Sequence, residues 1–184
     1  MILPIVAYGD PVLKQVANDI DAEYPNLKQL IEDMENTMEK ASGVGLAAPQ
    51  IGLSIRLFII DSTLMMDEGE EDKGIREVFI NAEMIEETGT EWAFEEGCLS
   101  IPDIREDVYR KDTITIKYLD KDFKEHTKTF DGMTARVIQH EYDHIEGILF
   151  IDHLKPLKKK LLNKRLRRIS EGKIDVKYRM RFPN

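Results

Sequence analysis

Between Pro25 and Ala41, the apolar residues Leu27, Leu30, Ile31, Met34 and Met38 recur three or four positions apart. That spacing predicts an amphipathic helix, which Ser42-Gly43-Val44-Gly45 ends. Ile55–Ile60 is short, apolar and rich in β-branched residues, the pattern of a buried strand. Asp61–Lys73 is polar and acidic and predicts an exposed loop, after which Glu77–Asn81 and Met84–Thr90 predict further strands. In Thr113–Tyr118, the side chains of Ile114, Ile116 and Tyr118 share one face. Asp120-Lys121-Asp122 supplies a turn, and Phe123–Phe130 returns as the partner strand.

A helix follows from about Gly132 to Glu146, with Asp131 at its N-terminal cap and Gly147 at the stop position. A second runs from Pro156 to about Ser170 and is expected to turn Leu157, Leu161, Leu162, Leu166 and Ile169 inward. The tail then alternates, with Ile174, Val176, Tyr178, Met180 and Phe182 on one side and Lys177, Arg179 and Arg181 on the other, as in a half-buried strand. The expected architecture is α+β, with largely antiparallel sheets around a central helix. With no internal repeat and no linker-like tract, residues 1–184 are expected to form a single domain, ending in a basic helix and strand at about 156–182.

Composition narrows the class. Hydrophobic residues make up 42% and charged residues 33%, an ordinary globular balance. One cysteine permits no intrachain disulfide and suits a reducing compartment. No apolar run approaches the roughly 18 residues of a membrane span. Met1–Ala7 is apolar but lacks a basic leader and runs into Gly9-Asp10-Pro11, unlike a signal peptide. A cytoplasmic protein is expected, with neither membrane nor DNA as a partner. The net charge of −9 is uneven: residues 155–184 hold 12 Lys and Arg against two acids, leaving 14 basic and 33 acidic residues in the remainder. Any polyanion would therefore meet the tail rather than the body, although a solvated helix face carries the same pattern.

The strongest chemical signal is His140-Glu141-Tyr142-Asp143-His144 on the predicted central helix. Histidines at i and i+4 project from one face and can reach one metal ion, and the intervening Glu141 can bond a water on that ion. A catalytic metal usually has three protein ligands and an open position. The residues alone leave the third open among His126, His153, a carboxylate and Cys98. Cys98 lies in Glu95-Glu96-Gly97-Cys98-Leu99-Ser100, where a free cysteine is ordinarily a small buried hydrophobe. A third segment, Gly43-Val44-Gly45-Leu46-Ala47-Ala48-Pro49-Gln50, allows close backbone approach and then places a polar amide.

Together the three segments resemble peptide deformylase. Its motifs G-x-G-x-A-A-x-Q, E-G-C-x-S and H-E-x-D-H stand here, in order and complete, as Gly43–Gln50, Glu96–Ser100 and His140–His144. The resemblance extends from about Ile5 to His153 and is weakest in the Ser62–Arg76 loop and after Pro156. It implies removal of the N-formyl group from the initiator methionine of nascent chains, with release of formate. It also implies Cys98, His140 and His144 as metal ligands, Fe²⁺ as the native ion, and Ni²⁺, Co²⁺ or Zn²⁺ as substitutes. A thiolate and two imidazoles suit zinc or iron equally.

In that reading Glu141 moves the proton, first from water and then to the departing amine. The Gln50 amide and the Leu99 backbone N–H stabilise the oxyanion. The Gly43–Val44–Gly45 backbone pairs with the substrate main chain. Val44, Phe94, Met133 and Val137 are candidates for the methionine pocket, ordinary core packing being the alternative. Arg105 is a candidate substrate contact or a surface ion pair, and Asp143 a group that orients the histidines. The basic tail suggests a contact with ribosomal RNA where the nascent chain emerges.

Two rivals remain at this point. A general metallopeptidase shares the histidine helix but takes a downstream His or Glu as third ligand, for which His153 and Glu146 are available. A non-catalytic binding protein could keep the metal site alone, but Glu141 and Gln50 would then have no task.

Overall fold

A computed structural model describes residues 1–183; the last residue of the expected domain, Asn184, lies outside them. Ten elements matter: β1 (Ile5–Val6), α1 (Leu27–Lys40), β2 (Gly45–Ala47), β3 (Leu57–Asp61), β4 (Arg76–Cys98), β5 (Ile101–Leu119), β6 (Glu125–Asp131), α2 (Gly132–Ile145), α3 (Pro156–Ser170) and β7 (Met180–Arg181). Strands β2-β3-β4-β5-β6 form one sheet in which every neighbouring pair is antiparallel. A second, two-stranded sheet pairs β1 with β7 in parallel. The expected α+β class holds.

All five residues of β3 are buried because a helix covers each face of the sheet. Leu57 and Ile59 pack with Met34 and Met38 of α1. Phe58 and Ile60 pack with Ala135 and Ile138 of α2, and Phe58 stacks on Phe79 at 4.7 Å between ring centroids. A third apolar cluster sets Leu162, Leu166 and Ile169 of α3 against Val6, Ile101, Ile104 and Val108.

The structure departs from the sequence expectations in several places. Glu77–Asn81 and Met84–Thr90 are parts of one 23-residue strand, β4, and its 19-residue partner β5 begins well before Thr113. Register shifts at Ile80/Glu83, Met84/Glu86, Thr88/Glu91 and Gly97/Cys98 bend this ribbon. The bent ribbon carries Glu96 and Cys98 to α2.

Asp61 and Ser62 are buried, so the acidic loop is not exposed at its start. Ser62 Oγ lies 2.8 Å from Thr134 Oγ1 and ties that start to the first turn of α2. Asp131 sits at the N-cap of α2 but its side chain makes no capping hydrogen bond. Gly147 does end the helix, at φ +71°, and a Cβ there would meet the Lys14 backbone at 2.8 Å. Leu157 and Leu161, expected inward, are 72% and 71% exposed. Leu162, Leu166 and Ile169 already define the buried stripe of α3, and at 100° per residue the other two leucines fall off it. The tail does alternate as expected, but only Met180–Arg181 pairs as a strand.

Candidate metal centre and cleft

Of the candidates for a third donor left open by the sequence, the fold brings Cys98 to the histidine pair. Among the described residues, Cys98 Sγ and one ring nitrogen each of His140 and His144 lie within 4.8 Å of one another. Cys98 Sγ is 3.4 Å from His144 Nε2. The other candidates are engaged elsewhere: His126 Nε2 with Asp120 at 2.6 Å, His153 Nε2 with Asp143 at 2.7 Å and Glu146 with Arg56 at 2.6 Å. α2 brings the histidines to one face, a turn apart, and the tight β4–β5 turn brings the sulfur to them.

A ring of buried charge holds the centre. His140 Nδ1 donates to Glu96 Oε2 at 3.0 Å, which leaves Nε2 for an ion. Glu96 accepts from Arg110 Nε at 2.7 Å and Nη2 at 3.1 Å, and from Arg136 Nη1 at 2.9 Å. Arg110 Nη1 also donates to Asp143 Oδ2 at 2.8 Å. Asp143 is therefore linked to His140 through Arg110 and Glu96 and has no hydrogen bond to His140 or His144 among the described residues. Burial resists ionisation of Glu96, but His140 and Arg110 overcome it and hold the carboxyl below its usual range.

Burial also works against a charged His140, yet hydrogen bonds with Cys98 and Glu96 raise it well above its ordinary value. Burial and the nearby His140 charge push His144 well below. A divalent ion entering this centre therefore displaces protons.

Glu141 is 4% exposed, burial pushes its carboxyl up to about 7, and its Oε2 is a buried oxygen without a hydrogen-bond partner. Gly45 has no room for a side chain, because a Cβ would lie 2.7 Å from both Cγ and Cδ of Glu141, with Oε1 closer still. Gln50 is 1% exposed, in the short turn after β2. The Ala47 N–H donates to its Oε1 at 2.9 Å, so its Nε2 faces the centre, 3.4 Å from Cys98 Sγ and 3.4 Å from Ser100 Oγ. A thiolate, two imidazoles and an orphaned buried carboxylate beside them form a donor set that fits a transition-metal ion with an open position.

The centre opens on a cleft of about 710 Å³. Every expected substrate-binding residue lines it: Gly43, Val44, Gly45, Phe94, Arg105, Met133 and Val137, with Cys98, Leu99, His140 and Glu141. Arg105 also pairs with Glu95 at 2.9 Å, the surface ion pair that its alternative reading expected.

Sequence reasoning missed other residues. Arg136 lines the cleft, lies one turn before His140 and sits 4.5 Å from the Trp92 ring centroid. Its i−4 spacing from His140 was the available signal. Met65 and the tail residues Val176, Lys177 and Tyr178 also line the cleft, and nothing in their local pattern placed them there. No helix among the described residues is long and apolar enough to cross a membrane.

Comparison with known proteins agrees with this geometry. The family described as polypeptide deformylase matches residues 2–160. A peptide deformylase of Christiangramia forsetii is 59% identical, over 100% of this chain and 97% of its own. The crystal structure of a peptide deformylase from Legionella pneumophila superposes with a TM-score of 0.81 at 39% identity, covering 94% of this chain and 98% of that one. That from Thermotoga maritima gives 0.74 at 38% identity, covering 85% of this chain and 99% of its own. On these matches, and on a centre built from all three motifs, the chain belongs to the peptide deformylase family.

Proposed function

We propose that this chain removes the N-formyl group from the formylmethionine that begins nascent polypeptides and releases formate, using Cys98, His140 and His144 to hold Fe²⁺. One observation carries the assignment of roles: the Cys98–His140–His144 cluster has the Gln50 amide 3.4 Å from its sulfur and the buried, unpartnered Glu141 carboxyl next to His140 in the chain. A divalent ion held there supplies Lewis acidity and a water made nucleophilic near neutral pH. Iron as the native ion follows from the family resemblance, and Ni²⁺, Co²⁺ or Zn²⁺ fit the same donors.

Glu141 takes a proton from the attacking water and delivers it to the amine that leaves. Its carboxyl is buried and its Oε2 has no hydrogen-bond partner, so that oxygen is free to take up and give back a proton. Gln50 Nε2, its orientation set by the Ala47 N–H, and the Leu99 N–H donate to the oxyanion as it forms. The Gly43–Gly45 backbone pairs with the substrate main chain, which accepts any sequence. Phe94, Met133 and Val137, with Val44, receive the methionine side chain, and Arg105 contacts residues further along.

The protein works as one domain in the cytoplasm, where nascent chains emerge. Its basic α3 and tail dock on ribosomal RNA. Lys160, Lys164 and Arg168 lie four residues apart on the exposed side of α3, which supports that contact.

Formate release from a formyl-Met peptide, measured without oxygen on Fe²⁺-loaded protein, tests the activity. Glu141→Ala is expected to lose about 10²–10⁴-fold in rate while keeping its metal. Absence of formate from fully metallated wild type would sink the proposal.

A further inference from the structure

The C-terminal tail lies beyond the region that matches the family, residues 2–160, yet it lines the cleft. Tyr178 Oη donates to the Leu99 carbonyl at 2.7 Å. Leu99 stands in the two-residue turn that joins β4 to β5, directly after the ligand Cys98.

We propose that Tyr178 is a positioning residue for Leu99, and that the tail carrying it serves as an outer wall of the substrate cleft. This rests on the deformylase reading of the site.

Three features support it. First, the tyrosine is itself held. β7 pairs with β1, and the Ile5 and Ala7 N–H groups donate to the Arg179 and Arg181 carbonyls, each at 2.9 Å. The bond at Arg179 falls on the residue directly after Tyr178, so the backbone that aims the ring has little freedom. Met180 and Phe182 pack on the α3 cluster and anchor the far side of the tail.

Second, the turn is tied from outside on both of its residues. Tyr178 holds the Leu99 carbonyl, and the Tyr8 N–H donates to the Ser100 carbonyl at 2.9 Å. The N–H and C=O of Leu99 flank one Cα, and only two soft dihedrals lie between their peptide planes. Fixing the carbonyl plane in a tight turn restricts the direction of the Leu99 N–H. A donor in the oxyanion site depends on that direction.

Third, the tail borders the same cleft. Asp175–Tyr178 line it together with Ser42, Leu99, Phe94 and Met133. A peptide longer than formyl-Met has to extend along that cleft, and a wall built by the tail would meet it.

Tyr178→Phe removes the hydroxyl and keeps the ring. Kinetics on a formyl-Met dipeptide and a formyl-Met tetrapeptide, with metal content and thermal midpoint matched to wild type, read the consequence. The expected result is a fall in kcat of about three- to tenfold on both peptides, the range of one lost hydrogen bond, with KM within about twofold. Amide hydrogen exchange in the segment around Leu99 should rise while that of β1 stays unchanged.

An unchanged kcat, or a rise in KM alone, would overturn the positioning role. Tyr178→Ala on the same two peptides tests the wall: KM should rise more for the tetrapeptide, and an equal change on both would refute it. If wild type released no formate, the deformylase reading would fail first. The exchange measurement would still report whether the hydroxyl orders the turn.

Discussion

Replacing Gly45 by alanine tests the close packing at the heart of the centre. Gly45 is fully surrounded in β2, and a Cβ there would stand 2.7 Å from Cγ and Cδ of Glu141 and nearer still to Oε1. Ordinary van der Waals contact begins at 3.4 Å, so something must move. The Glu141 carboxyl is the more flexible partner, and since Glu141 lines the cleft it is the cleft into which it would yield.

A retreat of the carboxyl by about 1 Å takes it off the proton path, and a misplacement of that size can cost about 10²-fold in rate. Overpacking of this kind adds about 1–3 kcal/mol of destabilisation. Gly43→Ala is the control, since its Cβ would come too close only to the Leu99 side-chain tip, at 2.9 Å, which can rotate away, while the Gly45 carbonyl oxygen at 3.4 Å and Met38 Cγ at 3.5 Å are ordinary contacts. Formate release by both variants, with metal content and unfolding midpoint measured alongside, decides the matter. The expectation is a kcat about 10²-fold down for Gly45→Ala with metal retained, and a much smaller loss for Gly43→Ala. A Gly45→Ala enzyme within threefold of wild type would refute the argument that a Cβ at Gly45 drives Glu141 from its working position.

Two further outcomes follow from the same framework. Glu96→Gln leaves Arg110 and Arg136 facing a neutral amide in the interior, so stability should fall by about 3–5 kcal/mol in chemical denaturation. Metal affinity should also weaken about 10- to 100-fold in chelator competition, because His140 loses the carboxylate that orients it; affinity equal to wild type in folded protein would contradict this. Reversing the charge of Lys160, Lys164 and Arg168 together should abolish co-sedimentation with ribosomes at low salt while leaving formate release intact, since all three are exposed and far from the buried stripe of α3. Unchanged co-sedimentation would remove the tail from ribosome docking.

Chemistry and local pattern were legible in the sequence to different depths. Helical spacing located α1, α2 and α3, and the family resemblance carried by the three motifs pointed to Cys98, His140, His144, Glu141 and Gln50, which the fold brings to one centre. His140 and His144 share a face by helical period alone. The lengths of β4 and β5 were not legible. Their inward positions include Glu96 and Arg110, which pattern reading assigns to water and which are in fact buried against each other. A buried ion cluster looks like surface until its members are brought together.

Leu157 and Leu161 failed in the opposite sense. Five apolar residues on α3 are too many for one stripe, and only the neighbours that α3 meets could choose which three face inward. The amino-acid sequence by itself thus determined the helices and the placement of His140, Glu141 and His144 on one of them, which depend on residues a few positions apart. Tertiary structure decided that Cys98 stands beside the histidines, which arginines clamp Glu96 and which distant tail closes on Leu99. Those contacts span 14 to 79 positions, and no local periodicity carries information over such separations.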